Sequence, residues 1–143
     1  MSSDEHKATA ARVFADIMQG GQLHLIEALF TPDVVGHDPG QEFHGRDALT
    51  HGLASLRAAF PDLQFTVEDM VAEGDKVAVR YTGQGTHQGP VWGIPPTGKR
   101  MRYTGILIWR FVAGQIAEHW AEPDRLGILQ QLGALDVPGP GRG

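Results

Sequence analysis

The chain has 143 residues, 41% hydrophobic and 20% charged, which fits one globular domain and favours neither a disordered nor a fibrous class. It contains no cysteine, so disulfides, thiolate metal sites and cysteine nucleophiles are excluded. Formal net charge is −5 and the 12 lysines and arginines are scattered rather than gathered into a stripe, so no nucleic-acid partner is expected.

The first residues lack a basic stretch followed by an apolar one, and no apolar run approaches the roughly 18 residues that cross a bilayer. A cytoplasmic protein with no membrane partner is therefore expected. From Asp4, the apolar residues Ala10, Val13, Phe14, Ile17 and Met18 recur every three or four positions, which predicts a helix ending at Gly20-Gly21. Leu25, Ile26, Leu29 and Phe30 predict a second, short helix that Thr31-Pro32 terminates. Residues 33–43 hold Pro39 and Gly40 and no sustained period, so they read as a short strand around Val34-Val35 followed by a loop. A third helix, with Leu49, Leu53, Leu56, Ala59 and Phe60 on one side, starts near Arg46 or Asp47 and closes at Pro61.

Beyond Pro61 the period changes to two. Phe65, Val67 and Val71 alternate with polar neighbours, Glu73-Gly74-Asp75 turns, and Val77, Val79 and Tyr81 alternate again, which predicts an antiparallel hairpin with a bend at Gly83, Gly85 and Gly89. Residues 90–98, rich in proline and glycine yet apolar, cannot be regular and are expected to fold over something. Strands follow at 101–112 and 115–121 around an Ala113-Gly114 turn, then a helix headed by Pro123 and Asp124, with Leu126, Leu129 and Leu132 on one side and Gly133 as its cap. One domain over residues 1–136 and a disordered tail at 137–143 are expected, and helices followed by antiparallel strands argue α+β with the helices on one face of the sheet.

Seven histidines supply acid-base groups suited to neutral pH, and His37, His87 and His119 stand out by position. Counting across the Ala113-Gly114 turn sets Arg110 opposite Ala117 and Ile108 opposite His119. Arg110 and His119 then share one face and Glu118 and Trp120 the other, unless a one-residue bulge exchanges them. Phe60, Trp92, Tyr103, Trp109 and Trp120 can build core or stack on a flat ligand. His37, His44 and His51 recur every seven residues, a spacing that encodes no tight ligand pair, so no metal is expected. A Gly-x-Ser-x-Gly elbow and glycine-rich phosphate loops are missing, which disfavours nucleophilic hydrolysis and nucleotide cofactors.

The segments Ala59-Phe60-Pro61-Asp62-Leu63, Ala72-Glu73-Gly74-Asp75-Lys76-Val77, Gly85-Thr86-His87-Gln88-Gly89 and Gly93-Ile94-Pro95-Pro96-Thr97-Gly98-Lys99, and the close from Ile116 to Gln131-Leu132-Gly133, resemble the SnoaL-like polyketide cyclase, or ester cyclase, family over about residues 8–135. The resemblance implies the cone-shaped α+β barrel shared with nuclear transport factor two, ketosteroid isomerase and scytalone dehydratase: helices packed on a strongly curved, mainly antiparallel sheet enclosing a pocket. It also implies a homodimer and cofactor-free closure of a polyketide ring by intramolecular aldol condensation.

The family's catalytic aspartate matches Asp124, a residue that equally suits a helix N-cap. The expected site therefore has Asp124, His119 and His37 as catalytic groups, and His87, Trp92, Arg110, Glu118, Trp120, Phe60 and Tyr103 around a carbonyl-rich, partly aromatic small molecule. No cofactor is expected. A hydroxylase or hydrolase on the same scaffold and a non-catalytic binding protein are the alternatives, because the fold alone does not fix the reaction.

Overall fold

The computed structural model describes residues 2–135, so the tail expected at 137–143 lies outside the described residues. Helix α1, Ser3–Arg12, opens on a capping box in which the Ser2 hydroxyl accepts from the Glu5 amide and the Glu5 carboxylate accepts from the Ser2 amide. Helical winding continues over Val13–Gln19 as a wider π segment, its end marked by the Gly20 amide donating to the Ala15 carbonyl. Ala10, Val13, Phe14 and Ile17 form its buried side. A 3₁₀ turn, Leu23–Leu25, leads into the single turn of α2, Ile26–Leu29.

The chain then extends earlier and further than its sequence suggests. Strand β1 spans Phe30–Asp38 and returns as β2, Gln41–His44, where a short strand and a loop were expected. Pro32 is tolerated inside β1 because the ladder to its neighbour breaks there, shifting register between Phe30 and Val35. Helix α3 covers Arg46–Ala59. Strands β3 (Gln64–Glu73), β4 (Lys76–Thr86), β5 (Arg100–Val112) and β6 (Gln115–Pro123) follow, and α4, Arg125–Gln131, closes the described chain.

The six strands form one sheet in the order β2-β1-β6-β5-β4-β3, with β1 and β6 parallel and every other pair antiparallel. Register shifts in the β3–β4, β1–β6 and β5–β6 ladders bend it. At Gly83 and Gly85 the β4–β5 ladder runs without a register shift to Thr86 opposite Arg100, and Gly89 lies beyond the strand. The β5–β6 connection is the expected two-residue turn, with Ala113 and Gly114 both at positive φ, +48° and +82°.

The helices lie against the concave face. Phe14 meets Tyr81, Trp109 and Phe65 at ring distances of 5.6, 5.4 and 6.1 Å. Alternation along β5 is strict: Met101, Tyr103, Leu107, Trp109 and Phe111 are buried and their neighbours Arg102, Thr104, Ile106, Ile108 and Val112 are exposed. In α4 the buried residue is Ile128, joined by its C-cap Leu132, and Leu126, expected on the packed side, is 50% exposed.

Candidate active site

Register decides which side chains share the concave face. A one-residue bulge in β6 at Ala117 moves the pairing so that Trp109 lies opposite His119 and Arg110 opposite Glu118. The expected grouping of Arg110 with His119 is therefore corrected: His119 turns inward with Trp109, while Arg110, Glu118 and Trp120 face outward. Gly36 of β1 sits beside His119, which sends Asp38, two residues on, to the same inner side.

Three cross-strand glycines make room for rings there. Phe43 lies over its partner Gly36, Tyr103 over Gly83 and Tyr81 over Gly105. A Cβ on Gly83 or Gly105 would come within 2.5 Å of the opposing tyrosine, so a larger residue at either would displace a phenol.

The interior is thereby furnished with one imidazole, one carboxylate and two phenols. His119 Nδ1 accepts from the Trp109 indole N–H at 2.7 Å, and His119 Nε2 lies 3.4 Å from Asp38 Oδ1. The two side chains retain 14% and 27% of their accessible surface, enough for contact with a ligand. Burial pushes the Tyr81 phenol up to about 12, and the charge of Asp38 adds to the rise. Tyr103 is also pushed up, by burial and by Tyr81. Both hydroxyls therefore stay protonated near neutral pH, and neither has a hydrogen-bond partner among the described residues.

These are the chain's two tyrosines, so the protein's phenolate absorbance reports on the interior alone. The expected titration shows almost no phenolate at pH 10 in the native protein and half-ionisation near 10 once denaturant is added. Because the folded-state value is raised, the associated stability is full below about pH 10 and is lost as pH rises towards 12. Native half-ionisation at pH 10 would show both rings to be solvated.

The other expected site residues divide by location. Asp124 is exposed and caps α4, its Oδ1 accepting from the Gly127 amide at 2.9 Å. The cap role that its sequence position equally suits is the one its geometry fills. His37 is on the convex face, bonded to Glu118 at 2.8 Å and stacked on Trp120 at 5.5 Å, and Arg110 donates to Glu118 at 3.2 Å. The bond from His37, helped by Arg110, holds the Glu118 carboxyl below the usual range.

Phe60 is fully buried, a core position worth about 1.5–3 kcal/mol in burial alone rather than an open ligand contact. His87 is also fully buried; its Nδ1 accepts from the Thr97 amide at 3.2 Å, and its Nε2 has no hydrogen-bond partner among the described residues. Trp92 is 43% exposed in the irregular 90–98 stretch, with the Arg125 guanidinium 4.8 Å from its ring. Arg125 also donates to the Pro39 carbonyl, joining that stretch and α4 to the β1–β2 turn next to Asp38.

Two surface hollows, of about 290 and 550 Å³, both lie away from this interior, one beside Arg110 and Glu118 and the other beside Val71 and Ile108. Among the described residues no three histidine, aspartate or glutamate side chains converge in a way that could hold a metal ion. Asp38, Tyr81 and Trp109 are the interior groups that the sequence did not assign to the site. The readable signal was Gly36, Gly83 and Gly105, small residues in register with rings.

The family model described as SnoaL-like polyketide cyclase matches residues 8–132. The aklanonic acid methyl ester cyclase DauD of Streptomyces sp. (strain C5) is 31% identical over 110 residues, covering 76% of this chain and 67% of its own. The enzyme of the same name from Streptomyces peucetius, DnrD, is 33% identical over 103 residues, 71% of this chain and 70% of its own. Among solved structures, AclR, a candidate hydroxylase from Streptomyces galilaeus, has a TM-score of 0.85 and 36% identity over 96% of this chain and 87% of its own.

Proposed function

Because the chain belongs to the SnoaL-like polyketide cyclase family, we propose that it closes a ring in a carbonyl-rich, partly aromatic small molecule by cofactor-free intramolecular aldol condensation. The observation that carries this reading is the inward carboxylate of Asp38, beside His119 and near the protonated phenol of Tyr81. Asp38 takes a proton from carbon next to a carbonyl, and the enolate carbon forms a bond to a second carbonyl carbon of the same molecule. Tyr81 and Tyr103 donate hydrogen bonds to the oxygens on which negative charge develops. The proton held by Asp38 returns to the new alkoxide, so the product is an isomer of the substrate and neither oxidant nor water is consumed.

The test is incubation of the purified protein with an open-ring polyketide methyl ester of the kind named for DauD and DnrD. A product of unchanged mass, formed equally well without dioxygen, supports the cyclase. A product one oxygen heavier supports the hydroxylase reading, which the likeness to AclR favours. Ligand binding without conversion supports a binding protein.

A homodimer and a cytoplasmic location belong to the same proposal. No helix among the described residues is long and apolar enough to cross a membrane. The convex face carries Ile106, Ile108, Val71 and Val112, exposed by 53%, 37%, 63% and 48%, which supports burial against a second copy. Light scattering is expected to give twice the chain mass for the native protein and the single mass for Ile106→Glu/Ile108→Glu. A native monomer would remove the dimer from the proposal.

A further inference from the structure

We infer that Trp109 is a positioning residue: its indole N–H, bonded to His119 Nδ1, keeps the imidazole hydrogen on Nε2, facing Asp38. The inference rests on the reading of Asp38 as the base and adds how that base is held. An indole nitrogen can only donate, so the ring nitrogen 2.7 Å from it must accept. A neutral imidazole has one N–H, which is thereby assigned to Nε2, the atom 3.4 Å from Asp38 Oδ1.

The indole is not free to turn away. Trp109 is 1% exposed and packed against Phe14 at 5.4 Å and edge-on to Phe30 at 6.4 Å. The other side of the imidazole meets Phe43 at 5.9 Å, a ring seated over Gly36. His119 is thus fixed in orientation by packing and in tautomer by one hydrogen bond. The Nε2–H is an electrostatic partner of Oδ1 at 3.4 Å, and Oδ2 of Asp38 is left for the substrate proton. The opposite tautomer would turn a lone pair towards the carboxylate and push it out of place.

The experiment is ¹⁵N NMR of the full-length protein with labelled histidine and no substrate, the His119 signals being assigned by their loss in His119→Gln. Native protein is expected to show an unprotonated Nδ1 and a protonated Nε2. Trp109→Phe, which keeps a ring and removes the donor, is expected to mix the tautomers and to lower kcat about tenfold with KM within about twofold. A native His119 protonated on Nδ1 overturns the inference, and this measurement does not depend on the variant folding. Unchanged tautomer in Trp109→Phe, or changed tautomer with unchanged kcat, also overturns it. Failure of the underlying function is separate: an active Asp38→Asn enzyme would remove the base and leave the native tautomer as measured.

Discussion

Asp38→Asn is expected to lower kcat by about 100- to 10,000-fold, the usual worth of a positioned acid-base group, with ligand affinity held within a few-fold. The amide keeps the volume and a hydrogen-bonding oxygen at the place that faces His119, so the loss isolates the charge and the proton acceptor. Asp124→Asn supplies the contrast. Asparagine is as good an N-cap as aspartate, so the bond to the Gly127 amide survives, stability changes by about a few tenths of a kcal/mol and turnover stays within about threefold. The opposite pair of results, an inactive Asp124→Asn and an active Asp38→Asn, would move the base to the head of α4.

The second large effect is on stability. Gly89→Ala is expected to cost about 3 kcal/mol or more and to lower Tm by about 10 °C. A Cβ there overlaps the Ala58 carbonyl oxygen and reaches within 3.1 Å of Ala59 Cα, backbone atoms at the end of α3 that cannot step aside. The Gln88 and Gly89 amides both bond to the Ala59 carbonyl, so relaxation on the other side would break those bonds. Gly40→Ala is the control: nothing lies within 4 Å of its Cβ, and only the left-handed φ of +78° is strained, at about 1–2 kcal/mol. Equal melting temperatures for the two variants would show that the contact with α3 yields.

Much of the fold could be read from periodicity, because α3 and strands β4 and β5 repeat their apolar residues regularly enough to reveal a buried side; in β3 a bulge between Val67 and Asp69 packs Met70 and Ala72 on the core and leaves Val67 and Val71, expected on the buried side, exposed. β1 was under-read because Pro32 and Pro39 look like breakers. The pairing that accommodates Pro32 is made with a strand about 80 residues away, and no local pattern reports it. The same non-local pairing hid Asp38. Its neighbour His37 drew attention as a histidine, yet alternation gives adjacent residues to opposite faces and Asp38 is the inward one.

His119 was found by residue type, while its face depended on a bulge that a count from the turn does not contain. Asp124 shows the converse limit. A carboxylate ahead of a helix has an identical sequence signature whether it caps, catalyses or does both, and the bond to Gly127 engages its Oδ1 alone.

The lone parallel contact, β1 against β6, has a consequence for how the protein matures. Strands β1–β2, β3–β4 and β5–β6 close through turns of two residues and β4–β5 through residues 87–99, whereas this pair must join segments held apart by residues 39–114, at a correspondingly larger entropic cost. Asp38 and His119 come from these two strands and meet only when they zip together. Partly assembled chains can therefore own a sheet, a hairpin and most of a core and still have no acid-base pair, so the capacity to act on a reactive intermediate arrives only with completion of the barrel.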